Sequence, residues 1–465
     1  MKIFRSTKFK LTLLKISLIV PLAFLIILPL FLSAYAEYLY LSGFNIVGII
    51  LPAVAIFIIG MVFISIRVMI LKIKKKENVE KIWPATFIFF LIIGITASTI
   101  GIWEINFFYS ARHYNTGPIL TWGSGQDPST EVTIMWRTVD PAKSSISFTS
   151  DKEFSESSLN ISEDSELVEW HQIGITGLNP NTTYYYRINE FDETIHSFMT
   201  APSLNSSFNF LVFSDPRQNS ADLGCLLGPN VPKYMAEKAT SEGNFPEFTI
   251  VTGDITSKGT RYPTWKSWFD DISVHSELAS SAPLVDVVGN HERFDDTEGD
   301  IFAKFYPLER QTNKQFYYSF NYSQIHFTML DPWNITKDEE GGFDKLDDDQ
   351  LEWAQEDLQK SMNKTFRIIC LHPPPLRGKN DNINNRMPRV TDLADTFNVS
   401  LVFFGHGHSY EHNLINGTHY VLNGVGGNLD PKISGYAEVQ ATQNTLKLMQ
   451  HWLNDTTHDI AEIPA

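Results

Sequence analysis

Five short apolar runs in this chain each stop at residues able to hold a metal, and that coincidence constrains the fold more than any other feature. Residues 210–213 lead into Ser214-Asp215, and 248–252 into Gly253-Asp254. Residues 284–288 lead into Gly289-Asn290-His291-Glu292, 368–371 end at His372, and 401–404 lead into Gly405-His406-Gly407-His408. Apolar and β-branched runs of this length, bounded by glycine, read as buried strands. In an open α/β sheet, ligands gather where strand ends open into loops, so five such ends can converge on one site. Asp, Asn and His together suit a zinc, iron or manganese ion.

Each motif alone has a plain explanation. A Gly-Asp pair after a strand is usually a turn, and a single histidine such as His372 is usually structural. Gly-His-Gly-His is more specific, because alternate residues of an extended loop can aim two imidazoles at one point. The five in this order, each at a strand end, leave little room for coincidence. Between them, residues 264–278 and 349–362 carry apolar side chains at helical spacing, so strands alternate with helices and a layered α/β domain is expected over residues 205–465.

Charge is shared unevenly. Residues 1–112 hold 12 Lys or Arg against four Glu, a balance of +8, while the whole chain carries −16, leaving −24 on the remainder. So acidic a body is a poor partner for nucleic acid, whose phosphates need Lys and Arg. Within the basic end, windows 16–36, 46–66 and 83–103 are each long and uncharged enough to cross a bilayer. The N-terminus and the link containing Lys72, Lys74, Lys75 and Lys76 are basic, whereas the first link has Glu37 and no cation. By the positive-inside rule both basic segments face the cytoplasm, and everything after the third span lies outside it. The expectation is a multi-pass membrane protein with an extracytoplasmic C-terminal body. Ala34-Tyr35-Ala36 resembles a signal-peptidase site, but cleavage there leaves the orientation unchanged. Asn-x-Ser/Thr triplets at Asn160, Asn181, Asn205, Asn321, Asn334, Asn363, Asn398, Asn416 and Asn454 accord with a glycosylating compartment. The spans hold too few ionisable residues for an ion pathway, so they read as anchors.

Residues 113–204 show short alternating runs at 131–138, 145–149, 183–188 and 196–200, separated by turn-rich stretches, and predict a small fibronectin type III-like β-sandwich. It carries no metal cluster and reads as a spacer and a wall beside the site. Two cysteines, Cys225 and Cys370, establish no disulfide framework.

The strand-end motifs, with Tyr317-Tyr318-Ser319-Phe320, Gln350-Leu351-Glu352-Trp353 and His408-Ser409-Tyr410-Glu411, resemble the calcineurin-like metallophosphoesterases from about Phe208 to Glu438. With the β-sandwich in front, about 320 residues resemble the purple acid phosphatase branch. The resemblance implies a dinuclear centre bridged by Asp254. One metal would take Asp215, Asp254 and His408, and the other Asp254, Asn290, His372 and His406. His291 would stand beside the phosphate as charge stabiliser or general acid, and Asn290 would also meet the substrate. Paired cations clamp the attacking and leaving oxygens of an in-line displacement and activate a water, so hydroxide would attack phosphorus directly. Glu292 would either orient a ligand or be a solvated loop acid.

Two positions depart from the family pattern. The tyrosine that colours purple enzymes, three residues after the Gly-Asp aspartate, is Ser257 here, and the site two residues after the first aspartate is Arg217. Guanidinium cannot ligate a metal but can grip a phosphate oxygen, so the first metal is expected to bind more weakly and the protein to lack the purple colour. Three functions compete: a membrane-anchored phosphoesterase acting on extracytoplasmic phosphate esters, a catalytically weak phosphate-binding sensor, and a cell-surface structural protein. Lys379, Arg386 and Arg389 are further anion-contact candidates, and no sequence code names the substrate.

Overall fold

Alternating Val132, Ile134 and Trp136, and again Ile146, turn inward along one long strand and seed the core of the first folded layer. The computed structural model describes residues 115–465, apart from 157–158, 190, 192, 205, 217–230, 275–277, 294–295, 297, 309–310, 312–313, 334–345, 379–382, 428–429 and 431. The three expected membrane spans and Arg217, Cys225 and Lys379 lie outside the described residues. Among the described residues no helix is long and apolar enough to cross a membrane.

The first layer comprises β1 (Thr116–Thr121), β2 (Val132–Thr149), β3 (Asn160–Ile175), β4 (Thr183–Asn189) and β5 (His196–Met199). All pair antiparallel in one five-stranded sheet, whereas the sequence predicts a sandwich of the fibronectin type III kind, which has two. The runs at 131–138 and 145–149 are the two halves of β2. Pairing with β3 shifts register between Arg137, Ala142 and Ser144, where Asp140-Pro141 reads locally as a turn but is bridged by bulges. This layer packs on the next domain through Trp122, edge-on to Phe248 with centroids 5.5 Å apart. Trp170 packs against Phe269 and Phe305, and the Thr121 and Tyr186 hydroxyls donate to the Leu284 and Ser280 carbonyls. These are the contacts of a buttress.

The second domain is built on two six-stranded sheets. In the first, β6 (Phe208–Phe213), β7 (Phe248–Val251) and β8 (Leu284–Asp286) run parallel. In the second, β9 (Tyr318–Tyr322) runs antiparallel to β10 (Ile325–Met329), and β10, β11 (Phe366–Cys370), β14 (Leu401–Phe404) and β16 (Thr418–Asn423) run parallel. A short hairpin, β12 (Leu376–Arg377) with β13 (Asn384–Asn385), interrupts the chain between β11 and β14. The end of the chain is strand only: β15 (Tyr410–Ile415) edges the second sheet, and β17 (Gly435–Ala441), β18 (Thr445–Trp452) and β19 (Thr457–Pro464) extend the first. Alternation of strand and helix therefore stops near residue 404, earlier than the sequence suggests.

In the second sheet, period two divides the parallel strands between two cores. Ile368, Cys370, Leu401 and Phe403 join the core between the sheets, while Ile369, Val402 and Phe404 join a second core. Between the sheets, Phe327 meets Phe210 and Phe248 edge-on at 5.3 and 5.5 Å. Among the described residues the α-helices are α1 (Val231–Glu242), α2 (Tyr262–Phe269), α3 (Asn290–Arg293), α4 (Asp300–Phe305), α5 (Asp348–Lys360) and α6 (Pro388–Thr396). The α5 start is fixed by Asp347, whose carboxylate accepts from the Gln350 amide at 2.8 Å. Ala354 and Leu358 of α5, with Val390 and Leu393 of α6, fill the second core. Cys370 is a buried free thiol, pushed up in pKa by its burial.

Candidate metal centre

Every expected ligand stands just past the C-terminal end of a parallel strand. Asp215 follows β6, Asp254 follows β7, Asn290 opens α3 after β8, His372 follows β11, and His406 and His408 follow β14. Both sheets present these ends to the same place. Two groups result, Asp254 with His372 and His406, and Asp215 with Asp254 and His408, each with ligand atoms within 4.8 Å of one another. Asp254 belongs to both, the position of a bridge. The Asn290 amide oxygen lies 3.0 Å from His372 Nε2 and 2.8 Å from His406 Nδ1, completing the first group.

The donor set fits cations. His372 Nδ1–H donates to the Thr252 carbonyl at 2.7 Å, so in the neutral ring Nε2 presents its lone pair. That lone pair faces Asp254 Oδ1 at 3.2 Å as well as the Asn290 oxygen, an assembly of acceptors that needs a positive charge in its midst. The electrostatics agree: burial alone would push His372 down, yet the Asp254 carboxylate raises it to about 10. Burial likewise works against ionised Asp254, but the His372 and His291 rings hold it well below the usual carboxylate range. Asp215 Oδ1 is buried without a hydrogen bond, 3.3 Å from His408 Nε2.

The backbone is bent to make this cluster. Asp215, Asp254, His406 and His408 all have positive φ, at 53°, 55°, 63° and 45°. Each left-handed non-glycine residue costs about 1–3 kcal/mol and persists where surrounding structure enforces it, commonly at functional sites. Gly289 permits the closest approach, since a Cβ there would lie 2.3 Å from the Asp254 amide nitrogen and Oδ1.

Residues 208–410 match the calcineurin-like phosphoesterase family, and residues 117–200 match the purple acid phosphatase N-terminal domain. The chain thus carries a calcineurin-like phosphoesterase domain behind a purple acid phosphatase N-terminal domain. Purple acid phosphatase 15 of Arabidopsis thaliana is 27% identical over 312 residues, covering 58% of this chain and 55% of that protein. Purple acid phosphatase 22 of the same plant is 28% identical over 257 residues, covering 52% and 53%. The chain thus spans about half the length of these relatives. Purple acid phosphatase PPD1 from yellow lupin (Lupinus luteus) shares the fold, with a TM-score of 0.57 at 15% identity over 76% of this chain and 74% of that one.

Around this candidate centre, His291 donates its backbone N–H to Asp254 Oδ1 at 3.0 Å. Its ring is oriented by the Ser257 carbonyl, 2.7 Å from Nδ1, which leaves Nε2 facing Asp254 Oδ2 at 3.8 Å with the side chain 32% exposed. The departure at residue 257 therefore has a structural use: a main-chain oxygen sets the His291 tautomer, and no tyrosinate stands there.

Glu292 is fully buried, which rules out the solvated reading. Its carboxylate accepts from the Thr256 amide at 2.9 Å, the Asp254 amide at 3.0 Å and the Gly289 amide at 2.7 Å, pinning the Asp254 loop to the start of α3. Burial, with the neighbouring Asp254 charge, pushes it up to about 7. Arg293, the last residue of α3, donates to Asp331 Oδ2 at 2.6 Å, with both side chains 0% exposed. Sequence offered no signal for this clamp beyond an aspartate shortly after β10.

Of the other anion-contact candidates, Arg389 is committed to Asp348 at 2.7 Å and the Leu346 carbonyl at 2.8 Å, and Arg386 is exposed on the β13 side of the hairpin. Sequence reasoning passed over Arg377. Burial, then His372, pushes His406 down, and Arg377 adds a smaller push from across the same loop.

Proposed function

We propose that this protein hydrolyses phosphate esters at a dinuclear metal centre held by Asp215, Asp254, Asn290, His372, His406 and His408. The observation that carries the reading is the pair of ligand groups sharing Asp254 at the convergence of five strand ends. Iron, zinc or manganese would suit the mixed oxygen and imidazole ligands, with the Asp215 group the weaker of the two. When bound, such a pair supplies charge neutralisation for the phosphoryl group and activation of a water.

The chain's own residues supply the rest. Asp254 fixes the spacing of the two ligand groups, and its conformation is held by Glu292 and the His291 amide. His291 donates Nδ1–H to the Ser257 carbonyl, so it is the protonated imidazolium that can present an Nε2 proton to a phosphoryl oxygen or to the leaving alkoxide. Asn290 lies between two imidazoles and can turn its amide N–H toward substrate.

The reading extends to place and compartment. The three uncharged windows and the basic links among residues 1–112 support a membrane anchor with the body outside the cytoplasm. A further support is that Asn160, Asn181, Asn321, Asn363, Asn398, Asn416 and Asn454, every acceptor triplet among the described residues, has an exposed asparagine. Alkaline extraction of membranes and glycosidase digestion test this part: the chain should remain with the membrane and shift in mobility.

A phosphate sensor on the same fold is the second reading, favoured by Ser257 and by the His408 side chain, 45% exposed at the weaker group. Stripping the full chain of metal and reloading it with manganese, zinc or iron separates the two. Hydrolysis of a generic phosphomonoester or phosphodiester that returns only with metal supports the enzyme. A folded protein that binds metal yet turns over neither substrate supports the sensor.

A further inference from the structure

Beside the candidate metal centre stands a cation, Arg377, that pairs with no carboxylate among the described residues. Arg377 ends β12, five residues after His372, and its half-buried side chain has a buried Nε with no hydrogen bond. Among the described residues it forms no ion pair. A buried, unsatisfied donor on a charged group is costly, and in a native protein it calls for an explanation.

The surroundings hold Arg377 at this place. The next residue, Gly378, has φ of 101°, its N–H donates to Glu411 Oε2 at 3.3 Å, and its carbonyl accepts from Asn413 Nδ2 at 3.2 Å. Glu411, the nearby carboxylate on β15, thus meets the main chain at Gly378 and forms no ion pair with Arg377. The guanidinium itself lies against Gly407, where an added Cβ would come within 3.4 Å of Arg377 Cζ and 2.6 Å of Leu422 Cδ2. Gly407 is the residue between the two histidine ligands of the last strand end. The guanidinium therefore flanks the ligand cluster, against the backbone that joins His406 to His408, while the ligand atoms themselves stay within 4.8 Å of one another in their two groups.

We propose that Arg377 binds a second anionic group of the substrate, so that preferred substrates carry a second phosphate next to the phosphoryl group that is hydrolysed. This rests on the phosphoesterase reading. Charge at the scissile group is already met by the metal centre and His291, whereas Arg377 offers two-pronged hydrogen bonding to an oxyanion displaced toward Gly407. Recognition of this kind discriminates: a second phosphate brings an oxyanion to the outer N–H groups of the guanidinium, and a single phosphate held at the metal centre does not.

The test measures binding of methylenediphosphonate and of methylphosphonate, which cannot be hydrolysed, to the metal-loaded full chain by calorimetry. Arg377→Gln and Arg377→Lys stand beside wild type, with thermal melting as the folding control. Wild type should prefer the diphosphonate, and Arg377→Gln should lose about ten-fold or more in affinity for it, the size of a charge-assisted contact, with little change for methylphosphonate. Arg377→Lys should recover part of the loss. Equal losses for both ligands would assign Arg377 to the scissile phosphoryl group and overturn the proposal, as would unchanged affinities. Because binding is read without turnover, an inactive wild type would count against the enzyme reading alone.

Discussion

Replacing Arg293 with methionine isolates the clamp behind the metal centre. Asp331 accepts from Arg293 Nη2 at 2.6 Å, from the Phe316 amide at 2.9 Å and from the Trp333 amide at 3.2 Å, all in a region closed to water. Burial pushes the Asp331 carboxyl up in pKa despite these three donors, so desolvation consumes much of what the pair gains. Such a pair contributes little net stability, yet removing one partner strands the other and costs about 3–5 kcal/mol. Arg293→Met should therefore destabilise by about that much, and Asp331→Asn by a similar amount because it removes the carboxylate that faces the buried guanidinium. The double variant leaves no buried charge, and asparagine can still accept from the Phe316 amide. Its cost should fall short of the summed single costs by about 2 kcal/mol or more. Chemical denaturation of the metal-loaded protein, followed by tryptophan fluorescence, measures all four corners. Additive effects, or single costs below about 1 kcal/mol, would refute the reasoning.

Other consequences are quicker to check. With serine at 257, iron-loaded protein should lack strong visible tyrosinate absorption, and a purple product would overturn the reading of that position. His291→Gln should leave metal binding intact and lower kcat about a hundred-fold or more, as expected for a positioned proton donor; unchanged kcat would remove His291 from the chemistry. In metal-free protein, His372 is raised to about 10 by Asp254, so its stabilising contribution is complete below about pH 6.5 and is lost as pH rises toward 10. Melting temperature against pH should fall over that window in wild type, and the fall should shrink in Asp254→Asn; parallel curves would contradict the coupling.

The metal ligands were legible in the sequence because each stands within four residues of the end of a buried strand, and parallel strands bring such ends together. Other features were not, for physical reasons. Glu292 sits in a motif that reads the same whether its acid faces water or three backbone amides. Arg377 follows Pro373, Pro374 and Pro375, and nothing local says that a hairpin turns it back toward Gly407. In the first layer, Gly117-Pro118 hid β1, and the polar first half of β3 hid a strand that is half exposed. Asp140-Pro141 looked like a turn because local chemistry favours one, while pairing with β3 carries β2 through it. The closing strands β17, β18 and β19 alternate cleanly, but their antiparallel place beside β6 depends on contacts more than two hundred residues apart.

The most direct test of the account is metal stoichiometry measured together with turnover in wild type and Asp254→Asn. A shared Asp254 predicts two metal equivalents per chain with hydrolysis in wild type, and in the variant at most one equivalent with hydrolysis lost. Two equivalents retained in Asp254→Asn with turnover intact would contradict the bridged centre.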